Sequence, residues 1–296
     1  MKTPQHHSHA TFSDCVAHGE PSPLPTRNFQ GNQFVYCVLS QRAGGLSVGI
    51  DLAPDKRCNF RCVYCEVDRK DRRRPGRVHI PTMLAELEEM LSKIQAGKLA
   101  ELGFPDVDPA QLPLKSIALS GDGEPTLCPN FREILEAIVH LRARGDFPFF
   151  KIVLITNSTG LQFPETRAGI EQLSSEDEVW AKLDAGSQSY MNLVNHPGMP
   201  IDLVLRNIRD LAQRRPVVIQ SLFPAIDGAE PPEEEVLAYA RTLRDLRESG
   251  AQIPQVQIYS AHRAAMNPTC GHLPLRTLSR IAQTVREVSG LNAEVF

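Results

Sequence analysis

The chain has 296 residues, of which 42% are hydrophobic and 23% charged, a composition typical of globular proteins rather than disordered or fibrous ones. Its 32 basic and 35 acidic residues give a net charge of −3, which excludes a protein whose overall field attracts nucleic acid. No apolar run approaches the roughly 18 residues of a membrane span, and the polar segment 1–10 lacks the apolar part of a signal peptide. We therefore expect a cytoplasmic protein without membrane contact, in which any site for a polyanion is local.

The first 33 residues differ from the rest of the chain. They are rich in Pro, Gln, Asn and His and have no periodic apolar pattern. We expect residues 1–33 to form an N-terminal extension that is mobile in its first part, and residues 34–296 to form one core domain that ends in a helix.

After a strand-like patch at Phe34–Leu39, short aliphatic runs alternate with segments of helical period. Strands are predicted at Leu46–Leu52, Lys115–Leu119, Phe149–Thr156, Glu178–Leu183, Pro216–Leu222 and Gln255–Tyr259. Helices are predicted at Pro81–Ala96, Asn130–Arg144, Pro164–Leu173, Ile201–Arg214, Pro232–Ser249 and Leu275–Ser289. Six such βα units form either an open doubly wound sheet or a partial barrel, and periodicity does not separate the two. In both, a functional site is expected at the C-terminal ends of the strands.

Three of the seven cysteines, Cys58, Cys62 and Cys65, lie within eight residues directly after the first of these six strands. Such spacing is a poor disulfide framework and indicates metal or redox chemistry, since thiolates ligate both zinc and iron–sulfur clusters. No fourth cysteine follows at short spacing, and the nearest histidine is His79. An open metal position is typical of a catalytic site, but a zinc loop remains an alternative from the spacing alone.

The next strands also end in polar residues. After the second, Gly121 and Gly123 permit tight turns, and Glu124 provides a carboxylate. After the third and fourth come Asn157, Ser158, Lys182 and Asp184, which are ligand candidates or ordinary turn formers. Weaker candidates of the same kind are Gln220, Ser221, Tyr259, Ser260, His262 and Arg263.

Two further segments adjoin the predicted site. Residues Asn192–Gly198 are predicted to be a loop that closes over a substrate. The run Arg69–Arg77 has six basic residues in nine, and such a run is usually a solvated surface. Because it follows the cysteines, contact with RNA phosphates is a second interpretation.

The pattern Cys-x3-Cys-x-(aromatic)-Cys resembles the signature of the radical S-adenosylmethionine (SAM) superfamily. The resemblance implies a partial (β/α)6 TIM-type barrel and one [4Fe–4S] cluster on the three cysteines. It also implies reductive cleavage of SAM to a 5′-deoxyadenosyl radical that abstracts hydrogen, with electrons from an external donor such as flavodoxin or ferredoxin. Tyr64 takes the aromatic position near the adenine. Gly121-Asp-Gly-Glu124 is similar to the family's Gly-Gly-Glu element, which contacts the SAM amino group, and Asn157, Ser158, Lys182 and Asp184 suit the SAM ribose and carboxylate.

Four segments, 34–42, 44–49, 58–69 and 121–126, resemble the branch grouped with archaeal tRNA wyosine (4-demethylwyosine) synthases. Those enzymes use a second cluster on three N-terminal cysteines and a lysine that handles pyruvate. This chain has only Cys15 and Cys37 upstream and no lysine between Lys2 and Lys56, which argues against wyosine synthesis. A modified RNA base is the leading substrate hypothesis. The alternatives are a zinc-stabilised, non-catalytic nucleic-acid-binding module and an activase of a partner protein. Cys128 and Cys270 are predicted to be small buried residues.

Overall fold

The computed structural model describes residues 29–40, 42–70, 76–105, 112–261, 263 and 265–296, so most of the extension 1–33 lies outside the described residues. The strands are β1 Val35–Ser40, β2 Gly45–Asp51, β3 Leu114–Ser120, β4 Lys151–Thr156, β5 Glu178–Lys182, β6 Val218–Leu222, β7 Ala225–Ile226, β8 Val256–Tyr259, β9 Cys270–Gly271 and β10 Ala293–Val295. The α-helices are α1 Ile80–Gln95, α2 Phe131–Ala143, α3 Pro164–Ile170, α4 Gln188–Asn195, α5 Ile201–Ala212, α6 Glu233–Glu248 and α7 Leu275–Ser289.

Eight of the described strands form one sheet in the order β1-β2-β3-β4-β5-β6-β8-β10. Strand β1 pairs antiparallel with β2, and every other neighbouring pair in this sheet is parallel. The strand order follows the chain order without reversal, so the sheet has no switch point of the doubly wound kind. It curls into a half-barrel, which confirms the predicted partial TIM-type barrel. The sequence did not predict β10, which extends the sheet beyond β8.

The two faces of the sheet have different chemistry. Alternate strand residues such as Val179, Ile219 and Ile258 belong to the main core, together with the apolar faces of the helices. On the opposite, concave face, Trp180 and Val218 belong to a separate small apolar cluster. Because side chains alternate along a strand, the polar residues two positions further along lie on the same face as this cluster. The concave face of the half-barrel is therefore apolar near the start of the strands and polar near their C-terminal ends.

Helix α4 corrects the predicted loop at Asn192–Gly198, since residues 192–195 are helical and only the remainder lies beyond the helix. Ser187 caps the helix by accepting a hydrogen bond from Tyr190 N (3.2 Å), and His196 ends it in the left-handed region at φ 42°. Tyr190 and Val194 are buried, as the i, i+4 spacing of a helix requires. With eight residues the helix is too short for its period to be read reliably from sequence.

The described helices do not include one that is both long and apolar enough to cross a membrane.

A buried ion pair joins α2 to the start of β5 and makes the stability of the fold depend on pH in the acid range. Arg142 binds Asp177 through two hydrogen bonds of 2.6 and 2.9 Å. Burial raises the pKa of Asp177, but the hydrogen bonds from Arg142, Ile152 N and Ser174 outweigh it and leave the pKa below its usual value. A carboxyl with a lowered pKa stabilises the fold above its unfolded pKa of about 3.9, and that stabilisation is lost as pH falls through the folded value.

We therefore expect Asp177→Asn to lower the free energy of unfolding by an amount that is constant at neutral pH and shrinks below about pH 4. Urea unfolding of both proteins between pH 7 and pH 3 measures the difference. A difference that stayed constant to pH 3 would contradict the lowered pKa.

Candidate active site

Cys58, Cys62 and Cys65 are free thiols in the loop that follows β2, and all three side chains are partly buried. Phe60 and Val63, on the same loop, are buried in the main core. The loop is thus anchored by its apolar residues while its cysteines remain at the C-terminal edge of the half-barrel. The predicted position of the thiols at this edge follows directly from the strand that precedes them.

The end of helix α4 fixes the loop from the other side. Arg61 N donates to Asn195 O (2.9 Å), and Val63 N donates to Val194 O (2.8 Å). Met266 N, in the segment after β8, donates to Cys65 O (2.9 Å). Three backbone hydrogen bonds from distant parts of the chain therefore hold the cysteine loop in place.

Each of the three sulfur atoms has its own side-chain nitrogen donor, and the three donors come from three different segments of the chain. The pairs are Asn157 Nδ2 and Cys58 Sγ (3.8 Å), Asn195 Nδ2 and Cys62 Sγ (3.3 Å), and Arg69 Nη2 and Cys65 Sγ (3.6 Å). Only Asn157 was among the residues that the sequence predicted for the site. Arg69 was interpreted as part of a solvated run, but it turns inward and also donates to Phe60 O (2.7 Å). Asn195 was assigned to a loop and is instead the last residue of α4.

The donor set suits an iron–sulfur cluster with one open position. Three thiols of one loop lie at the mouth of the half-barrel, and side-chain donors face their sulfurs. Burial raises the pKa of Cys62 to about 12, so metal binding must release its proton. Within the described residues, no three Cys, His, Asp or Glu side chains are grouped closely enough to hold a single ion. A cluster is wider than a single ion and is held by thiols that stand further apart.

The Gly-Asp-Gly-Glu segment packs against the residues just before Cys58. Gly121 has φ +144°, and a Cβ atom there would collide with Asp51, while a Cβ atom at Gly123 would collide with the backbone of Arg57. Glu124 N donates to Arg57 O (2.9 Å). The two glycines are therefore required for the close approach between the β3 loop and the cysteine loop.

The carboxylate of Glu124 is buried and satisfied within the protein. It accepts hydrogen bonds from Thr126 N (3.1 Å), Thr126 Oγ1 (2.6 Å), Thr156 Oγ1 (2.5 Å) and Asn157 N (2.7 Å). Burial raises its pKa, and these hydrogen bonds lower it in part. Glu124 thus joins the ends of β3 and β4 and orients Asn157 toward Cys58.

Tyr64, Asp184 and Lys182 form one network beside Cys62. Asp184 accepts hydrogen bonds from the Tyr64 hydroxyl, from Asn195 Nδ2 (2.8 Å) and from Leu222 N (2.8 Å). Lys182 Nζ lies 3.1 Å from Asp184 Oδ1. Burial lowers the pKa of Lys182, but Asp184 and Tyr259 together outweigh it and the net pKa is raised, so the side chain is an ammonium ion.

The other predicted residues fall into two groups. Tyr259 belongs to the network, because its hydroxyl lies 2.8 Å from Lys182 Nζ, and Gln220 accepts from that hydroxyl at 3.3 Å. Ser158 is fully buried with φ 69°, so its side chain faces protein. Ser221 and Ser260 are buried and bond to backbone carbonyls, Arg263 pairs with Glu66 (3.3 Å), and His262 lies outside the described residues.

The four other cysteines lie outside the loop that carries Cys58, Cys62 and Cys65. Cys37 on β1 and Cys128 after β3 are buried, as predicted for Cys128, and burial raises the pKa of the Cys128 thiol to about 11. Cys270 on β9 is half-buried, and Cys15 lies outside the described residues.

A model of the Radical SAM superfamily matches residues 54–243, which include the cysteine loop, the Gly-Asp-Gly-Glu segment and the network around Asp184. The chain belongs to the radical SAM superfamily. This confirms the predicted family and the prediction of an enzyme. Membership of this superfamily implies SAM and an iron–sulfur cluster as cofactors.

Curated relatives match only part of their own length. The chain is 31% identical over 183 residues to the UPF0026 protein slr1464 of Synechocystis sp., covering 60% of this chain and 59% of that protein. It is 30% identical over 165 residues to a protein named GTPase Obg of Brachyspira hyodysenteriae, covering 56% of this chain but 21% of that protein.

Solved structures share the fold at low identity. A radical SAM methyltransferase from Sphaerobacter thermophilus matches 91% of this chain and 71% of its own, with a TM-score of 0.62 and 17% identity. A TYW1 structure with a lysine–pyruvate adduct bound matches 89% and 78%, with a TM-score of 0.50 and 17% identity. At such identity these matches show the radical SAM barrel and not a shared substrate.

Proposed function

We propose that this chain cleaves SAM reductively at one [4Fe–4S] cluster held by Cys58, Cys62 and Cys65. The observation that supports this most is the arrangement of three free, partly buried thiols in one loop at the barrel edge, each sulfur with a side-chain donor. The bound group supplies the electron that converts SAM to methionine and a 5′-deoxyadenosyl radical, which abstracts hydrogen from the substrate. An external donor such as flavodoxin or ferredoxin provides that electron.

The side chains that donate hydrogen bonds to the three sulfurs are proposed to affect how easily the site is reduced. Asn157 and Asn195 contribute amide N–H groups, and Arg69 contributes a positive charge against Cys65. Hydrogen bonds and positive charge near the sulfurs favour the more negative, reduced state. These three residues are thus proposed to make reduction of the site easier.

The SAM contacts are proposed for residues at the same edge. Gly121 and Gly123 let their loop pack against Asp51 and Arg57, and Glu124 holds that loop through its four hydrogen bonds, so the segment is proposed to present its backbone to the amino group. Tyr64 is proposed to lie near the adenine, fixed by its bond to Asp184. Asn157 and Lys182 remain candidates for polar groups of SAM or substrate, whereas Ser158 acts through its backbone, which binds Asn207 (2.9 Å).

Anaerobic reconstitution of the full chain with iron and sulfide tests the proposal. We expect a brown protein with about four irons per chain that forms 5′-deoxyadenosine from SAM only when a reductant is present. Omitting the reductant is the matched control. A colourless protein that retains one zinc ion would contradict the proposal and support the zinc-stabilised binding module.

A modified RNA base is the substrate that the sequence suggests, through the basic run after the cysteines. Arg69 contacts the thiol loop, and residues 71–75 lie outside the described residues. If the rest of the run binds phosphates, tRNA binding should weaken with rising salt, and neutralising Arg72, Arg73 and Arg74 to Gln should flatten that salt dependence. Filter binding between about 50 and 200 mM KCl, where affinity that depends on phosphate contacts falls steeply, measures this slope. An unchanged slope in the triple variant would exclude the run from RNA binding.

A further inference from the structure

The concave face of the half-barrel has a polar layer above its apolar cluster. Trp180 packs with Val153 and Val218 in that cluster, and Ala43, in the turn before β2, packs partly against it. One period further along the strands, the same face has Lys182, Gln220 and Gln257, and Tyr259 lies one period beyond Gln257. This polar layer lies between the apolar cluster and the cysteine loop.

Arg42 adds a second positive charge to this layer. Its guanidinium carbon lies 4.2 Å from the centre of the Tyr259 ring. Lys182 Nζ lies 5.0 Å from the same ring centre and 2.8 Å from the Tyr259 hydroxyl. Two cations thus share one aromatic ring, an arrangement that orders both side chains.

The two cations differ in how their charge is compensated. Lys182 has Asp184 as its counterion at 3.1 Å. Among the described side chains, no carboxylate forms an ion pair with Arg42, and its Nε atom is buried without a hydrogen-bond partner. A buried donor without an acceptor costs free energy, and an anionic ligand would recover it. The layer therefore has one positive charge in excess of its acidic groups.

The chemistry of the unmatched group defines what it can bind. A guanidinium binds carboxylates and phosphates through two parallel N–H donors, and stacking on an aromatic ring orients its plane. The polar layer is joined to the cysteine loop by continuous contacts, from Tyr259 to Lys182, from Lys182 to Asp184 and from Asp184 to Tyr64. An anion at Arg42 would thus be held on the face that opens toward the thiols.

We infer that Arg42 is a binding residue for the substrate, and that this substrate has a carboxylate or phosphate group that pairs with Arg42 over Tyr259. This inference rests on the proposed SAM cleavage, because that reaction places hydrogen abstraction at the same end of the half-barrel. It adds a substrate class to that proposal, namely anionic molecules that present one charged group to the concave face.

The single tryptophan of the chain, Trp180, gives a direct readout in the concave face. The reconstituted full-length protein is titrated with inorganic phosphate and, separately, with acetate at constant ionic strength, and Trp180 fluorescence is recorded. We expect a saturable change in fluorescence with at least one anion. In Arg42→Gln the affinity for that anion should be at least about tenfold weaker, as the loss of a charged hydrogen-bond pair predicts. Phosphate alone, acetate alone or both would identify which group is accepted.

The control is Arg214→Gln, which removes one charge from an exposed arginine bonded to Asp210 O (2.8 Å). It should bind the anions as the unmodified protein does. Equal binding by Arg42→Gln, or no saturable change with either anion, would overturn the inference. Displacement of the anion by SAM would also overturn it, because Arg42 would then bind SAM itself.

Formation of 5′-deoxyadenosine by the unmodified protein is measured in the same preparation. Cleavage of SAM without anion binding would contradict the inferred anion site and leave the proposed function intact. Anion binding without cleavage would do the opposite.

Discussion

Replacing any one of Cys58, Cys62 or Cys65 by alanine is expected to abolish iron binding and to reduce 5′-deoxyadenosine formation to the level without enzyme. The three thiols belong to one loop, and the substitution leaves the cluster with two of its three protein thiolates. Iron content, visible absorbance and 5′-deoxyadenosine yield after identical anaerobic reconstitution measure the effect.

Cys37→Ala and Cys128→Ala are the matched controls. Both thiols are buried in the core and are not part of the loop, so their loss should lower stability by about 0.5 to 3 kcal/mol and leave the iron content unchanged. Circular dichroism confirms that each variant is folded. Loss of iron in Cys37→Ala, or full iron retention in Cys62→Ala, would show that the cluster is not held as proposed. Cys15→Ala is a further control, since the proposal of a single cluster requires it to retain iron.

The sequence was sufficient to predict the elements that repeat. The six predicted core strands and six predicted helices correspond to observed ones, because buried strands and amphipathic helices leave strong periods over enough residues. The position of Cys58, Cys62 and Cys65 at a strand end followed from the same pattern. What periodicity left open, barrel or doubly wound sheet, depends on strand order, which is a property of the whole chain.

The missed site residues reach the thiols by contacts that local sequence does not encode. Asn195 donates to Cys62 from 133 positions away, through a helix of eight residues that sequence reasoning assigned to a loop. Its signals were weak, namely Ser187 as a cap and two buried side chains at helical spacing. Arg69 could not be singled out because it lies in a run of basic residues, and such a run predicts a solvated surface. Its acceptors, Phe60 O and Cys65 Sγ, become visible only in the structure.

Glu124 shows a different limit. The sequence identified a carboxylate at the mouth of the barrel, and the resemblance suggested that it contacts SAM. In the structure its oxygens accept hydrogen bonds from Thr126, Thr156 and Asn157, so it connects two loops of the site. Motif position therefore predicted where Glu124 lies, while its partners depended on threonines whose hydroxyl directions sequence does not reveal.

The second large effect is expected for Asp184→Ala, which should lower the free energy of unfolding by about 3 to 5 kcal/mol. The substitution leaves the Lys182 ammonium ion buried without a counterion, and it removes the acceptor of Asn195 and Leu222 N. Because Tyr64 also loses its partner, 5′-deoxyadenosine formation should fall with stability.

Two comparisons separate the buried charge from mere loss of a side chain. Lys182→Met should cost less than Asp184→Ala, because Asp184 keeps the hydroxyl of Tyr64, the amide of Asn195 and Leu222 N as donors. Asp245→Ala removes one partner of an exposed pair, Arg244 and Asp245 at 3.0 Å, and should cost no more than about 1 kcal/mol.

Urea unfolding of the iron-free proteins measures all three variants without a contribution from cofactor binding. A cost for Asp184→Ala no greater than that of Asp245→Ala would mean that water reaches the Lys182–Asp184 pair in solution. The double variant Asp184→Ala/Lys182→Met completes the test, because removing both charges should recover part of the stability that Asp184→Ala alone loses. Recovery of stability without recovery of 5′-deoxyadenosine formation would assign to this pair a role in binding as well as in folding.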